Sequence, residues 1–120
     1  MKVNIHRMEG YSDEYFIVGG RRWLMANLIA MSKDLEVFDL PLIGLDLLVS
    51  PWECASVASF IYHVQRVQDC DLKHPVILGA EGQLMNGWHR ICKAILQGDE
   101  TIKAVRFETT PGADIVEGSE

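Results

Sequence analysis

Apolar positions recur with two periods along this chain, and each period predicts a different element. Residues 3–6 and 15–18 alternate weakly and read as two short strands around a polar turn over 9–13. Gly19-Gly20 then punctuates the chain, and residues 21–32 carry Leu24, Leu28 and Met31 at helical spacing, joined by Trp23 and Ile29. Residues 35–40 alternate as a strand before Pro41. Residues 42–49 are apolar but broken by Gly44 and Asp46, which predicts a strand or an irregular core segment. Ser50-Pro51-Trp52-Glu53 is read as a helix start, with a serine cap, a proline in the first turn and a glutamate closing a capping box. The helix is expected to run to about Gln68 with Val57, Phe60, Ile61, Val64 and Val67 buried. Ser56, Ser59, His63 and Arg66 lie on its polar face.

The second half is more sharply patterned. Pro75-Val76-Ile77-Leu78 predicts a short buried strand, Ala80-Glu81-Gly82 a tight turn, and Gln83-Leu84-Met85 the returning strand. Asn86 or Gly87 is placed to cap a helix over 88–97, which would bury Ile91, Ala94 and Ile95 and stop at Gly98. Residues 101–107 alternate as a strand with Ile102, Ala104 or Val105, and Phe107 turned inward. Residues 109–120 read as a flexible acidic tail, leaving residues 1–108 as one compact α+β domain. Its expected architecture is a small mixed sheet with flanking helices and a hairpin–helix–strand unit.

Composition narrows the classes. The 120 residues fit one domain, and 48% hydrophobic with 23% charged is the make-up of a globular chain. Eleven basic against seventeen acidic residues give a formal charge of −6, the opposite of the balance that holds a nucleic-acid backbone, so DNA is not expected as a partner of this chain alone. Cys54, Cys70 and Cys92 are odd in number and read as reduced thiols. With no secretory signal and no apolar run of about twenty residues, a cytoplasmic location and no membrane association are expected.

The candidate chemistry sits at Asn86-Gly87-Trp88-His89-Arg90. A helix start leaves backbone amides unpaired and carries partial positive charge, and Gly87 lets a ligand approach them closely. Basic residues in a first turn are disfavoured by the helix dipole unless an anion is present, so His89 and Arg90, with Lys93 one turn on, point to something negative. Arginine adds a planar fork suited to phosphate oxygens.

Residues 74–94, from His74-Pro75-Val76-Ile77-Leu78 through Met85-Asn86-Gly87-Trp88-His89-Arg90-Ile91-Cys92-Lys93-Ala94, resemble the ParB/sulfiredoxin superfamily. The shared signature is a proline-bounded hairpin, a glycine, a His-Arg pair, an alanine one turn later and a closing strand. The resemblance implies a stand-alone ParB-like domain of α+β fold whose turn binds the phosphates of a nucleotide. Members include cytidine-triphosphate switches, ATP-using sulfinic-acid reductases, a serine kinase and nucleases. By the same resemblance Gly87, His89 and Arg90 are phosphate ligands, within a candidate binding site of Asn86, Gly87, Trp88, His89, Arg90 and Lys93, and the implied cofactor is a nucleotide, ATP or CTP, with Mg²⁺. The position of the sulfiredoxin catalytic cysteine is occupied here by Trp88, which argues against sulfinic-acid reduction. Asn86 stands where many such domains carry an aspartate, and it lacks the charge that would favour a magnesium ion.

Three further features bear on function. Gly19-Gly20-Arg21-Arg22 is a second glycine–basic motif, making Arg21 and Arg22 secondary anion-site candidates. Asp46, an acid inside an apolar segment, is the candidate catalytic carboxylate, and a surface turn explains it equally well. No paired-cysteine spacing supports a metal. The leading reading is therefore a domain that binds a nucleotide or phosphorylated small molecule, with hydrolysis or phosphoryl transfer as its catalytic form. The alternatives are a non-catalytic protein-interaction module and a DNA-segregation or nuclease-related factor. An exposed apolar face on the 51–68 helix would point to a homodimer.

Overall fold

The computed structural model describes residues 15–52 and 54–117. Their order is β1 (Tyr15–Val18), β2 (Arg21–Leu24), α1 (Met25–Ser32), β3 (Phe38–Pro41), a 3-10 turn (Leu42–Gly44), α2 (Val57–Asp69), β4 (Val76–Leu78), β5 (Leu84–Asn86), α3 (Trp88–Leu96), β6 (Thr101–Arg106) and β7 (Ile115–Val116). The fold is α+β in one domain. Four strands form a mixed sheet in the order β3-β6-β4-β5, in which β4 and β6 are parallel and the other pairs antiparallel. Three form an antiparallel sheet, β1-β2-β7.

The mixed sheet is buried on both faces, which is why β4 reads as an unbroken apolar run. Along β6, Ile102 and Ala104 face a core with Val76, Leu42, Ile91 and Ala94, so α3 covers this side. Val105, followed by Phe107, faces the other way, into a core with Ile77, Met85, Trp23 and Leu28 supplied by the first sheet and α1. The period-2 alternation of a strand delivers both sets from one short segment.

The hairpin, α3 and β6 lie close to their expected positions. Gly82 turns the hairpin at φ +85°, and Gly79 and Gln83 close it with an N–H to carbonyl bond of 2.8 Å. Gly98 ends α3 at φ +84°: its N–H donates to the Ile95 carbonyl (3.0 Å) and the Asp99 N–H to the Ala94 carbonyl (2.9 Å), the paired bonds of a Schellman cap. Ile95, expected inside, is partly exposed.

Elsewhere the structure corrects the sequence reading. Residues 21–24 are a strand, because Gly19 and Gly20 both take positive φ and turn the chain into a hairpin with Val18 opposite Arg21. The helix begins only at Met25. Residues 42–49 do not supply a core strand: Leu42 is buried, but Ile43, Leu47, Leu48 and Val49 are exposed. The long helix starts at Val57 rather than at Pro51. Its cap is Ser56, whose hydroxyl accepts from the Ser59 N–H at 3.1 Å while Ser59 Oγ accepts from the Ser56 N–H at 3.2 Å. Glu53, assigned a capping role from sequence, lies outside the described residues, as does the strand expected over 3–6.

The face of α2 turned inward also differs from the expected one. Ser59 is its buried residue, flanked by half-buried Ala58, Tyr62, His63 and Val67, whereas Val57, Phe60, Ile61 and Val64 are exposed. Of the expected polar face, Ser56 and Arg66 stay exposed, and Val67 alone of the expected apolar stripe turns inward. The segment after Thr109, read as a loose tail, is tied down as far as Glu117. Trp23 Nε1 donates to the Pro111 carbonyl (2.8 Å), and Asp114 accepts from the Leu24 N–H (2.7 Å) and from Asn27 Nδ2 (2.8 Å). β7 completes the first sheet against β2.

Candidate functional site

Gly87 is where strand becomes helix. It takes φ +122°, a torsion that L side chains rarely adopt. A Cβ built there would lie 2.4 Å from Val76 Cγ1 and 2.7 Å from Val76 Cβ. Two constraints therefore select glycine: the torsion, and the close approach of the turn to β4. The first turn of α3 contains no acidic residue, and Gly87 offers no side-chain cap. Ile91 N–H is already bonded to the Gly87 carbonyl (3.0 Å).

The two strongest cations of the motif are committed to carbonyl oxygens, all of the backbone except the Asn86 side-chain amide. Arg90 Nη1 donates to the His74 carbonyl (2.9 Å) and Nη2 to Asn86 Oδ1, so the guanidinium staples the start of α3 to the strand entry before β4. Burial draws its pKa below the ordinary arginine value, with the positive charge of Arg66 acting in the same direction and Cys70 opposing it. Asn86 Nδ2 in turn reaches Met25 Sδ at 3.3 Å. Lys93 Nζ donates to the carbonyls of Gln68 (3.0 Å) and Cys70 (2.7 Å), placing its charge at the negative end of α2. Trp88 packs against the α3-side core.

His89 turns the other way, toward α2. Its Nε2 lies 2.9 Å from His63 Nδ1, with ring centroids 5.2 Å apart and planes 15° apart. That combination sets the two imidazoles nearly coplanar and end to end, joined by an N–H···N bond. One nitrogen must donate and the other accept. The pair keeps this bond when neutral or when it holds one extra proton, and loses it when both rings are imidazolium. Trp52 lies flat across both rings, 4.5 Å from His63 and 4.3 Å from His89, with interplanar angles of 19° and 16°. Tyr62 meets His63 edge-on at 5.1 Å.

The site is thus a proton-sharing histidine pair beside the amide end of α3, roofed by an indole. The sequence motif brought in His89 but missed His63 and Trp52, which come from α2 and from the chain leading into it. Ser59, His63 and Arg66 at i, i+4 and i+7 were visible as a polar stripe, and that stripe was the available signal.

The remaining candidates stand apart from this cluster. Arg21 and Arg22 lie on β2 in the other sheet, where Arg22 pairs with Glu117 and sits over the Tyr15 ring at 5.8 Å. Asp46 is exposed, and its Oδ1 accepts from the Leu48 N–H (2.9 Å), a surface Asx turn. Cys54 is exposed, and burial raises the pKa of the Cys92 thiol, with Cys70 adding to the effect. Among the described residues no three His, Cys, Asp or Glu side chains converge to hold a metal ion, and no helix is long and apolar enough to cross a membrane.

No family model matches this chain, and no similar protein was found among curated proteins or solved structures.

Proposed function

We propose that this chain is a ParB/sulfiredoxin-like domain that binds a nucleotide or another phosphate compound at the start of α3. The observation that carries the reading is the His63–His89 pair at the amide end of α3, where a first turn without acids meets a glycine-opened approach. The antiparallel β4–β5 hairpin that feeds Gly87, and the return of the chain as β6 parallel to β4, support the resemblance carried by residues 74–107.

The geometry redistributes the roles within the motif. Arg90 and Lys93 hold α3 to its neighbours and lend positive field, while direct phosphate contact falls to the amides after Gly87 and to His89. Magnesium held by the protein does not fit the described residues, because Asn86 is uncharged and no carboxylate lies in the first turn of α3. A cytoplasmic nucleotide or phosphorylated metabolite is the ligand class, and hydrolysis or phosphoryl transfer is the catalytic extension, with the histidine pair as proton acceptor.

Calorimetric titration with ATP, CTP and inorganic phosphate, on wild type and on His89→Ala, tests the proposal. Binding by wild type that weakens at least tenfold in the variant is the expected result. Absence of binding by wild type to all three removes it.

A second reading has its own observation. Engagement of Arg90 and Lys93 with backbone carbonyls is what a domain retained as a scaffold for protein interaction would show. Preserved folding with no ligand response would favour it.

A further inference from the structure

Helix α2 packs inward with Ser59 and His63 and turns its apolar stripe outward. Val57 is 76% exposed, Phe60 60%, Ile61 38% and Val64 38%. A helix whose outer face is simply solvated carries charged residues there. The first nine residues of α2, Val57 to Gln65, contain no Asp, Glu, Lys or Arg. The stripe therefore has the character of a covered surface.

We infer that this face pairs with the same face of a second copy of the chain, α2 lying antiparallel to α2. The argument for a second copy is the order of side chains along the stripe. Val57, Phe60, Ile61 and Val64 stand at i, i+3, i+4 and i+7, small–large–large–small, and read alike in both directions. A two-fold axis between Phe60 and Ile61 sets Val57 opposite Val64 of the other copy and Phe60 opposite Ile61. This is the self-complementarity that an isologous contact requires. No charge falls on the seam, so the two-fold brings no like charges together.

The area sets the strength of the pair. Scaled by their exposure, the four side chains offer about 300 Å² per copy, below the roughly 800 Å² per partner of a standard stable interface. The dimer is accordingly weak and concentration-dependent, populated at high micromolar and above. It is independent of whatever binds at the start of α3.

Sedimentation velocity from about 10 μM to 1 mM tests the inference on the whole chain, for wild type, Phe60→Asp, Ile61→Asp and Leu96→Asp. Leu96 is an exposed apolar residue on α3 that serves as the control. Wild type and Leu96→Asp should shift from one chain toward two as concentration rises, while Phe60→Asp and Ile61→Asp remain single chains. Phe60 is the more exposed of the two at 60%, so Phe60→Asp is the variant that should keep the wild-type circular dichroism and melting temperature, which separates lost pairing from lost folding. A wild type that stays monomeric to 1 mM overturns the inference, whether the stripe is covered by another partner or by none. Association that survives both aspartate substitutions, or that Leu96→Asp abolishes, overturns the assignment to α2.

Discussion

Replacing Gly87 by alanine perturbs the turn from which the candidate site is built. Two costs are separable. The backbone at φ +122° is a region that a residue with a Cβ occupies only under strain, at about 1–3 kcal/mol. The new Cβ also meets Val76, at 2.4 Å from Cγ1, 2.7 Å from Cβ and 3.2 Å from Cα, and Val76 is fully buried in a packed core. Forcing a methyl group into such a position costs about 1–3 kcal/mol through displaced side chains and backbone. The expected loss is therefore about 2–6 kcal/mol from a domain whose whole stability is on the order of 5–15 kcal/mol. At roughly 4 °C per kcal/mol for a chain of this size, melting should fall by about 8–24 °C. Urea unfolding of wild type, Gly87→Ala, Val76→Ala and the double variant measures the two parts. Val76→Ala removes Cγ1, the nearest atom, but leaves Cβ and the torsion in place. The double variant should thus be less destabilised than the sum of the singles by about 1 kcal/mol, with most of the Gly87→Ala cost remaining. A Gly87→Ala protein within about 0.5 kcal/mol of wild type would refute the argument, and strict additivity would remove the clash and leave only the torsion.

Lys93→Met leaves two carbonyls at the end of α2 without their charged donor and should cost about 1–3 kcal/mol in urea unfolding; an unchanged midpoint would show that the two bonds contribute nothing. Asp114→Ala removes the acceptor for the Leu24 N–H and Asn27, so residues 109–117 should become susceptible to limited proteolysis with about 1–2 kcal/mol lost. Equal proteolysis of wild type and variant would contradict the tie. Burial raises the Cys92 pKa, and a raised folded-state pKa gives a stability contribution present below the unfolded thiol value and lost as pH rises through the folded one. Iodoacetamide should accordingly alkylate exposed Cys54 first, with Cys92 lagging behind it; mass spectrometry that found Cys92 modified at the same rate as Cys54 would refute the effect of burial.

Sequence by itself determined the hairpin, α3 and β6, because there local signals and tertiary packing agree. The apolar run at Val76-Ile77-Leu78 suits a strand buried on both sides, Gly87 and Gly98 mark the two ends of α3, and the alternation of residues 102–107 supplies both core faces. Gly19-Gly20 carried a hairpin signal as well, a two-residue turn between alternating runs. The helical spacing of Leu24, Leu28 and Met31 outweighed it, since four strand residues followed by eight helical ones present both periods at once.

Only the tertiary structure decided how α2 begins and which way it faces. Two serine caps compete for its start, at Ser50 and Ser56, and local chemistry favours either. Trp52 stacks on two imidazoles from different helices, which holds the chain before Ser56 out of a first turn. Amphipathicity likewise divides a helix into two faces without saying which one finds a partner. Here the side carrying Ser59 and His63 goes inward because α3 offers His89 as a hydrogen-bond partner, while Arg66 stays exposed and Lys93 bonds the carbonyls at the end of α2. The basic motif at Asn86 to Arg90 was therefore legible as a helix start, but the histidine pair that forms the site depends on a contact between residues 26 positions apart.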